Sequence, residues 1–261
     1  MPPLPPRWDD AARWWDEFRL AAAFLTRLPL GPSAPGGETP LAQASWAFPL
    51  VGIIVGLLGG VGYALAAWLN IPALPAALIA VGISIAVSGG LHEDGLADTA
   101  DGFFGAADRA EKLAIMRDSR TGNFGVMALI LSVGLRAAAL AAIGPGGRVA
   151  AALVAAHALG RGFLPLVLRA LEPARADGLG AAAGRPEATI AWLAAGLAVP
   201  IALVALDFGA GLVALLAAAL VMALGAGVAR RQIGGYTGDV LGALEQGGET
   251  MVLLVAAAWA T

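Results

Sequence analysis

The residues of this chain best suited to chemistry form an acidic, glycine-punctuated run at residues 89–105. On a helix, with about 100° per residue, Asp94, Asp98 and Asp101 fall at roughly 0°, 40° and 340°, on one face. Carboxylates that share a face repel one another unless a cation lies between them. Because carboxylate oxygens suit Mg²⁺, often together with substrate phosphates, the spacing predicts a magnesium site for phosphate chemistry. A solvated acidic loop is the alternative.

The same run contains polar residues and glycines outside the acidic stripe. His92 and Glu93 fall near roughly 160° and 260°, so they are candidates for a general base or for groups that position the metal ligands. Gly95, Gly102 and Gly105 lie on or near the acidic face. Since each glycine costs a helix ~1 kcal/mol, their presence here predicts that something bulky, such as a nucleotide diphosphate, approaches the backbone.

Two further polar segments offer groups that could complete a site. Residues 112–125 contain Asp118, a fourth candidate metal ligand, and basic side chains that could bind phosphate oxygens; these are Lys112, Arg117 and Arg120. Ordinary membrane anchoring is the alternative for each of the three. Residues 234–246 contain Thr237, Asp239 and Glu245, which would either join the site or form the N-terminal cap of a helix.

Composition indicates that these segments belong to a membrane protein. The chain has 261 residues, of which 59% are hydrophobic and 13% charged, whereas a soluble domain carries about 25% charged residues. Strand-like alternation is absent, and no cysteine is present, which excludes thiolate chemistry. The predicted fold is all-α and polytopic, with six to seven transmembrane helices. The candidate spans are Trp46–Leu69, Ala73–Gly90, Phe124–Ile143, Val149–Leu168, Ala188–Val204 and Phe208–Val228. Thr250–Ala260 is a seventh only if its helix begins in the 240s or if the bilayer thins there.

The N-terminal segment differs from the rest. In residues 8–28, Trp8, Trp14, Trp15 and Phe18 alternate with charged residues, which indicates an interfacial amphipathic helix, with a soluble cap helix as the alternative. We therefore divide the chain into an N-terminal segment, 1–45, and a single transmembrane catalytic domain, 46–261.

The charge distribution predicts an orientation. Thirteen of the sixteen Lys and Arg residues fall in loops on one side, which should be cytoplasmic. Eighteen of the nineteen acidic residues fall on that side too, which indicates a polar working face there, although longer loops explain part of this bias. Within helices, Arg136 is interpreted as snorkelling to the outer surface. Arg161, four residues after His157, either snorkels or faces a cavity.

Five stretches together resemble the cobalamin synthase family: residues 24–29, 48–52, 89–103, 116–125 and 235–243. The resemblance runs in order from about residue 18 to the C-terminus, and only the Pro-rich residues 2–6 lie outside it. It implies an adenosylcobinamide-GDP ribazoletransferase of the bacterial inner membrane that uses Mg²⁺. In that reaction a ribose hydroxyl of α-ribazole, or of its 5′-phosphate, attacks the cobinamide-side phosphorus of adenosylcobinamide-GDP and GMP leaves. No nucleic-acid partner is expected, membrane lipid surrounds the chain, and the sequence leaves open whether it forms a homo-oligomer.

This resemblance predicts a slot for the flat, apolar benzimidazole of α-ribazole. Phe103, Phe104 and Tyr236 are the candidate stacking residues, and anchoring of both phenylalanines to lipid or neighbouring helices is the alternative. Two other functions remain open. Asp98-x-x-Asp101-Gly102 with Asp118 is similar to the motif of CDP-alcohol phosphotransferases, but their Ala-Arg is missing. An ion-coupled transporter would place its carboxylates near mid-membrane, whereas here they cluster at one face.

Overall fold

The computed structural model describes residues 11–30, 40–144 and 147–260, and in these ranges every regular element is a helix. The predicted Trp8 and the Pro-rich residues 2–6 lie outside the described residues. The α-helices are α1 Ala11–Leu25, α2 Leu41–Ala44, α3 Phe48–Trp68, α4 Ala73–Ser88, α5 Leu91–Gly105, α6 Arg109–Ile115, α7 Asn123–Ile143, α8 Gly147–Gly162, α9 Leu164–Ala170, α10 Leu179–Ala183, α11 Ala188–Ala205, α12 Phe208–Ile233 and α13 Gly238–Ala260.

Six helical stretches of the described chain are long and apolar enough to cross a membrane, which confirms the predicted all-α polytopic fold. The first combines α2 and α3 and begins at Leu41, and the third combines α8 and α9. The last is α13, which begins at Gly238 and has 23 residues. The predicted seventh helix therefore meets the condition of an earlier start, and it is long enough to span ~30 Å of hydrocarbon.

The predicted span at residues 73–90 is broken. α4 has 16 residues, about 24 Å at 1.5 Å per residue, and the chain bends by 92° before α5 continues. The bend is made by Gly89 and Gly90, whose φ values of 68° and 71° lie in the left-handed region that glycine adopts without strain. Counted as one broken span, α4 and α5 bring the total to seven.

The polar connections that the sequence assigns to one side do meet at one end of the bundle. Arg109 joins two segments that are distant in sequence at this end. Its Nε donates to the Ile233 carbonyl at 2.7 Å, and its Nη2 donates to the Ala174 carbonyl at 2.8 Å. Arg148 and Asp207 line a depression together with the start of α8 and the end of α13, which is the opposite end. The two-sided arrangement of loops therefore agrees with the prediction.

The helix predicted near the N-terminus is α1, and it packs against the bundle. The Trp46 indole N–H donates to the buried Glu17 carboxylate at 2.7 Å, and the Trp14 and Trp46 rings meet edge to face at 4.5 Å. On the other side of α1, Trp15 is exposed and stacks on Phe18. One face of α1 is thus fixed to the first span, while its placement in the membrane interface stays a prediction.

We expect the end of the bundle that contains α6 to face the cytoplasm. Because the chain has no cysteine, single-cysteine variants at the exposed Ser119 and Arg148 give clean labelling sites at opposite ends. An impermeant maleimide added to intact cells should label Arg148→Cys and leave Ser119→Cys unlabelled until the cells are opened. Labelling of Ser119→Cys from outside would reverse the assigned orientation.

Candidate active site

The site begins at a close crossing of α5 and α13. A Cβ placed on Gly95 would lie 2.7 Å from the Asp239 carbonyl oxygen, and one on Gly242 would lie 3.1 Å from the His92 carbonyl oxygen. Small residues at this crossing let the two backbones touch. As a result, Asp94 of α5 and Asp239 of α13 line the same cavity.

This packing corrects one prediction about the glycines. The space at Gly95 is filled by α13, and a Cβ on Gly102 would lie 2.5 Å from the Met116 side chain and 3.0 Å from the Lys112 carbonyl oxygen. Gly105 faces Ile115 at an ordinary contact distance. The prediction that these glycines admit a bulky ligand is therefore wrong, because protein segments already occupy the approach.

Two carboxylates, Asp94 and Asp239, line the cavity, and a third, Asp98, lies close enough to interact with both. Asp94 is exposed and Asp98 half-exposed, and neither side chain accepts a hydrogen bond from any residue that the structure describes. Asp98 is in electrostatic contact with Asp94, Asp101 and Asp239. Asp239 Oδ2 accepts hydrogen bonds from Thr237 Oγ1 at 3.1 Å and from Arg175 Nη2 at 3.3 Å. The arrangement concentrates negative charge with free acceptor capacity on Asp94 and Asp98.

Thr237 also caps α13, since its hydroxyl accepts the Val240 backbone N–H at 3.2 Å. The N-cap interpretation of this segment is therefore confirmed for Thr237. Asp239 nevertheless faces the cavity, so the cap and the site share the same turn.

Arg175 is the functional candidate that sequence reasoning missed. It lines the cavity, and within the described residues its buried Nη1 atom has no hydrogen-bond partner. Its loop is fixed by Tyr236, whose N–H donates to the Glu172 carbonyl at 3.0 Å and whose carbonyl accepts the Ala174 N–H at 2.8 Å. In the sequence, Arg175 was one of several loop cations, and no local motif distinguished it.

Asp101 and Asp118 lie elsewhere. Both line a separate depression beside α7. Asp101 is buried, and its oxygens accept the backbone N–H groups of Gly122 at 2.6 Å and Gly125 at 2.8 Å, so it satisfies free donors at the start of α7. Asp118 is paired with Arg120 at 2.6 Å, whose hydrogen bonds lower the pKa of that carboxyl to about 2. The structure therefore divides the four predicted metal ligands between two places.

The three cations of residues 112–125 that were predicted to bind phosphate already have partners in the structure. Lys112 is buried and donates to the Gln232 side chain, and the exposed Arg117 pairs with Asp177 at 2.5 Å. Arg120 pairs with Asp118. None of the three lines the cavity that contains Asp94.

The predicted aromatic residues also lie outside this cavity. Phe104 is exposed and packs against Phe124, with ring centres 5.7 Å apart. Phe103 packs against the core. Tyr236 is buried, and its hydroxyl donates to the Gly180 carbonyl at 3.3 Å. The aromatic side chains that do line the cavity are Phe24 and Phe48.

Behind the cavity lies a buried ionic network across four helices. Arg136, with no exposed surface, donates to Glu249 at 2.9 Å and to Glu93 at 3.2 Å. Arg161 pairs with Glu245 and lies 2.8 Å from His157 Nδ1. The snorkelling interpretation is therefore wrong for Arg136 and excluded for Arg161.

The positions of the two glutamates of α13 in this network contradict a second prediction, which concerns where the acidic residues lie. Glu245 and Glu249 are among the eighteen acidic residues that the charge distribution places on the polar working face, but both are buried inside the span formed by α13. With His157 they present ligand atoms within 4.8 Å of one another. Arg136 and Arg161 already supply the positive charge there, so the cluster is an ion-pair network.

His92 connects this network to the cavity, which it also lines. Its Nδ1 lies 3.3 Å from Arg161 Nη2 and 3.6 Å from Glu245 Oε2. The second distance is too long for a hydrogen bond, and a guanidinium can only donate. Nδ1 therefore accepts, and in the neutral ring the proton is on Nε2, which makes His92 a donor in this arrangement. Glu93, paired with Arg136, does not line the cavity.

Comparison with known proteins identifies the family. The family model described as Cobalamin-5-phosphate synthase matches residues 17–257. The chain belongs to this family. A relative named adenosylcobinamide-GDP ribazoletransferase from Bradyrhizobium diazoefficiens is 47% identical over 93% of this chain and 94% of its own length. Relatives with the same name from Mesorhizobium japonicum and Sinorhizobium medicae are 44% and 43% identical, each over 92% of this chain and over 92% and 95% of their own lengths. No solved structure matches significantly.

Two carboxylates of the predicted acidic stripe differ in their contacts: Asp101 accepts backbone hydrogen bonds, whereas Asp94 accepts none from the described residues. This difference gives a first prediction. Asp101→Asn should lower the free energy of unfolding by about 1–3 kcal/mol, because an amide cannot accept both backbone N–H groups of α7. Asp94→Asn, which removes no hydrogen bond, should leave it unchanged. Thermal unfolding of the purified variants in detergent measures the difference. Equal melting temperatures would reject the capping role.

A second prediction concerns the buried network. Glu249→Ala leaves Arg136 with Glu93 as its remaining acidic partner and should cost about 3–5 kcal/mol of stability. Replacing Arg136 and both of its acidic partners, as Arg136→Met with Glu249→Met and Glu93→Met, should recover most of that loss, because no buried charge of this group is then left unpaired. The exposed pair Arg185–Glu172 is the control, since Glu172→Ala should change stability by less than about 1 kcal/mol. Equal losses at Glu249 and Glu172 would contradict the role of the buried pair.

Proposed function

We propose that the chain is an adenosylcobinamide-GDP ribazoletransferase, which transfers the adenosylcobinamide phosphate group to a ribose hydroxyl of α-ribazole or its 5′-phosphate. The observation that carries this proposal is the cavity that Asp94, Asp239 and Arg175 line together, with Arg175 Nη1 lacking a hydrogen-bond partner among the described residues. A diphosphate needs a cationic side chain and a hard metal ion, and Arg175 and the carboxylates of Asp94 and Asp239, which could supply the first and hold the second, lie beside one opening. Family membership and the names of the relatives support the same reaction.

Mg²⁺ is the cofactor we propose for this site. Asp94 and Asp98 would hold it, because no described residue donates a hydrogen bond to their oxygens, in contrast to those of Asp101 and Asp118. When bound, Mg²⁺ would neutralise the negative charge that develops on the phosphoryl oxygens. Arg175 would bind the diphosphate through Nη1, which has no hydrogen-bond partner among the described residues, in a charge-assisted hydrogen bond.

The attacking ribose hydroxyl must lose a proton as its oxygen bonds to phosphorus. Asp239 is the best placed acceptor, because Thr237 and Arg175 both donate to Oδ2 and leave Oδ1 free. His92 would donate a hydrogen bond through Nε2. The new P–O bond forms to the ribose oxygen, the anhydride P–O bond breaks, and GMP leaves with the bonding electrons.

The enzyme would act at the cytoplasmic face of the bacterial inner membrane, as the basic residues near the site suggest. A CDP-alcohol phosphotransferase is disfavoured by the family match. An ion-coupled transporter is disfavoured because each carboxylate inside α13 is paired with an arginine. Ion uptake into vesicles without product formation would support transport instead.

Turnover tests the proposal and separates the roles of the carboxylates. Purified protein with both substrates and Mg²⁺ should release GMP, and chelation should stop release until Mg²⁺ is restored. Asp94→Asn and Asp98→Asn should lose at least ~100-fold in rate, since a metal clamp is worth several kcal/mol, and should need more Mg²⁺. Asp239→Asn should lose rate without a change in the Mg²⁺ requirement.

The exposed Asp177, away from the cavity, provides the control variant Asp177→Asn, which should keep full activity. Near-normal turnover of both Asp94→Asn and Asp98→Asn would reject the metal site. Absence of GMP release by the wild-type protein would reject the function.

A further inference from the structure

The cavity beside Asp94 has two chemically different sides. Asp94, Arg175 and Asp239 form one side, whereas the other walls come from apolar side chains of α1, α2, α3, α5 and α9. The cavity, which is open on one side, has a volume of about 170 Å³, room for on the order of ten water molecules. The apolar lining residues include Phe24, Leu25, Leu41, Phe48, Leu164 and Leu168.

The apolar walls restrict which part of the substrates can enter. A guanine ring has donors and acceptors around its edge, and burying them without partners costs ~1–3 kcal/mol each. A corrin macrocycle with its side chains is too large for this volume. A benzimidazole joined to ribose keeps a single acceptor nitrogen and two apolar faces, so it fits walls of this kind.

We infer that this cavity binds the benzimidazole base of α-ribazole, with the ribose directed toward Asp94 and Asp239. The inference rests on the proposed function and adds the residues that recognise the base. Phe24 and Phe48 supply the aromatic contacts expected for a flat ring, in place of Phe103, Phe104 and Tyr236, which lie outside the cavity.

This assignment gives α1 a direct role in substrate recognition. Phe24 and Leu25 are at the end of α1, and the Glu17–Trp46 hydrogen bond holds that helix against the first span. The next residue, Thr26, is held against α1, because its hydroxyl donates to the Ala22 carbonyl at 2.7 Å. The depth of the slot is therefore set by how closely α1 packs on α3.

Two leucines on α9 allow a matched test. Leu168 is buried and lines the cavity, whereas Leu166 lines a different groove beside Met222. Calorimetric titration of the full-length protein in nanodiscs with α-ribazole alone should give a Kd about tenfold or more higher for Leu168→Trp. Leu166→Trp should match the wild type. The KM for adenosylcobinamide-GDP should stay within about twofold in both.

A second variant provides an independent test in case Leu168→Trp does not fold. Leu164→Ala enlarges the cavity, so it should shift kcat/KM several-fold in favour of the α-riboside of naphthimidazole, a base one ring larger, over α-ribazole. Leu166→Ala should not. An unchanged Kd in Leu168→Trp together with an unchanged preference in Leu164→Ala would overturn the assignment.

The outcomes also separate this inference from the proposed function. GMP release by the wild type with no effect of either cavity variant would reject the slot and keep the function. Binding of α-ribazole that depends on Leu168, in a protein that releases no GMP, would support the slot and reject the transfer reaction.

Discussion

The position of the acidic helix depends on ion pairs inside the bundle. A charged side chain in the hydrocarbon region is costly unless it is paired, and Arg136 is paired with Glu249 and Glu93, while Arg161 is paired with Glu245. These contacts connect α5, α7, α8 and α13, so they fix both the depth and the rotation of α5. Asp94 of α5 therefore meets Asp239 at one opening because ion pairs deeper in the bundle hold α5 in this position.

Much of the architecture follows from local pattern. Apolar length predicts the spans, and the loop charges predict which connections share an end. Residues 91–123 are assigned to a loop by the hydropathy pattern, and that assignment is wrong for α5. Only the register of Asp94, Asp98 and Asp101, which places them on one face if the segment is helical, points to the helix found there. These features depend on residues near one another in sequence, or on a bilayer that acts on every segment in the same way.

The remainder depends on contacts between distant segments, which no local pattern encodes. Arg175 is distinguished from other loop arginines only by the Glu172–Tyr236 backbone pairing that turns it toward Asp239. Asp101 has the same spacing as the other stripe residues, yet its burial beside Gly122 makes it a cap. Gly95 contacts a helix from the far end of the chain. The sequence shows that a glycine leaves room for a neighbouring segment, but it does not show which segment packs there.

The order in which the ionic network is completed has a consequence for biogenesis. Arg136 and Arg161 lie on helices synthesised early, whereas Glu245 and Glu249 belong to the last helix, α13. Until α13 docks, Arg161 lacks its carboxylate partner and Arg136 has Glu93 as its acidic partner. An incompletely inserted chain therefore holds a cation without its carboxylate partner, which is costly in the hydrocarbon region. The acidic residues of α13 thus couple the stability of the earlier helices to the docking of the last described one.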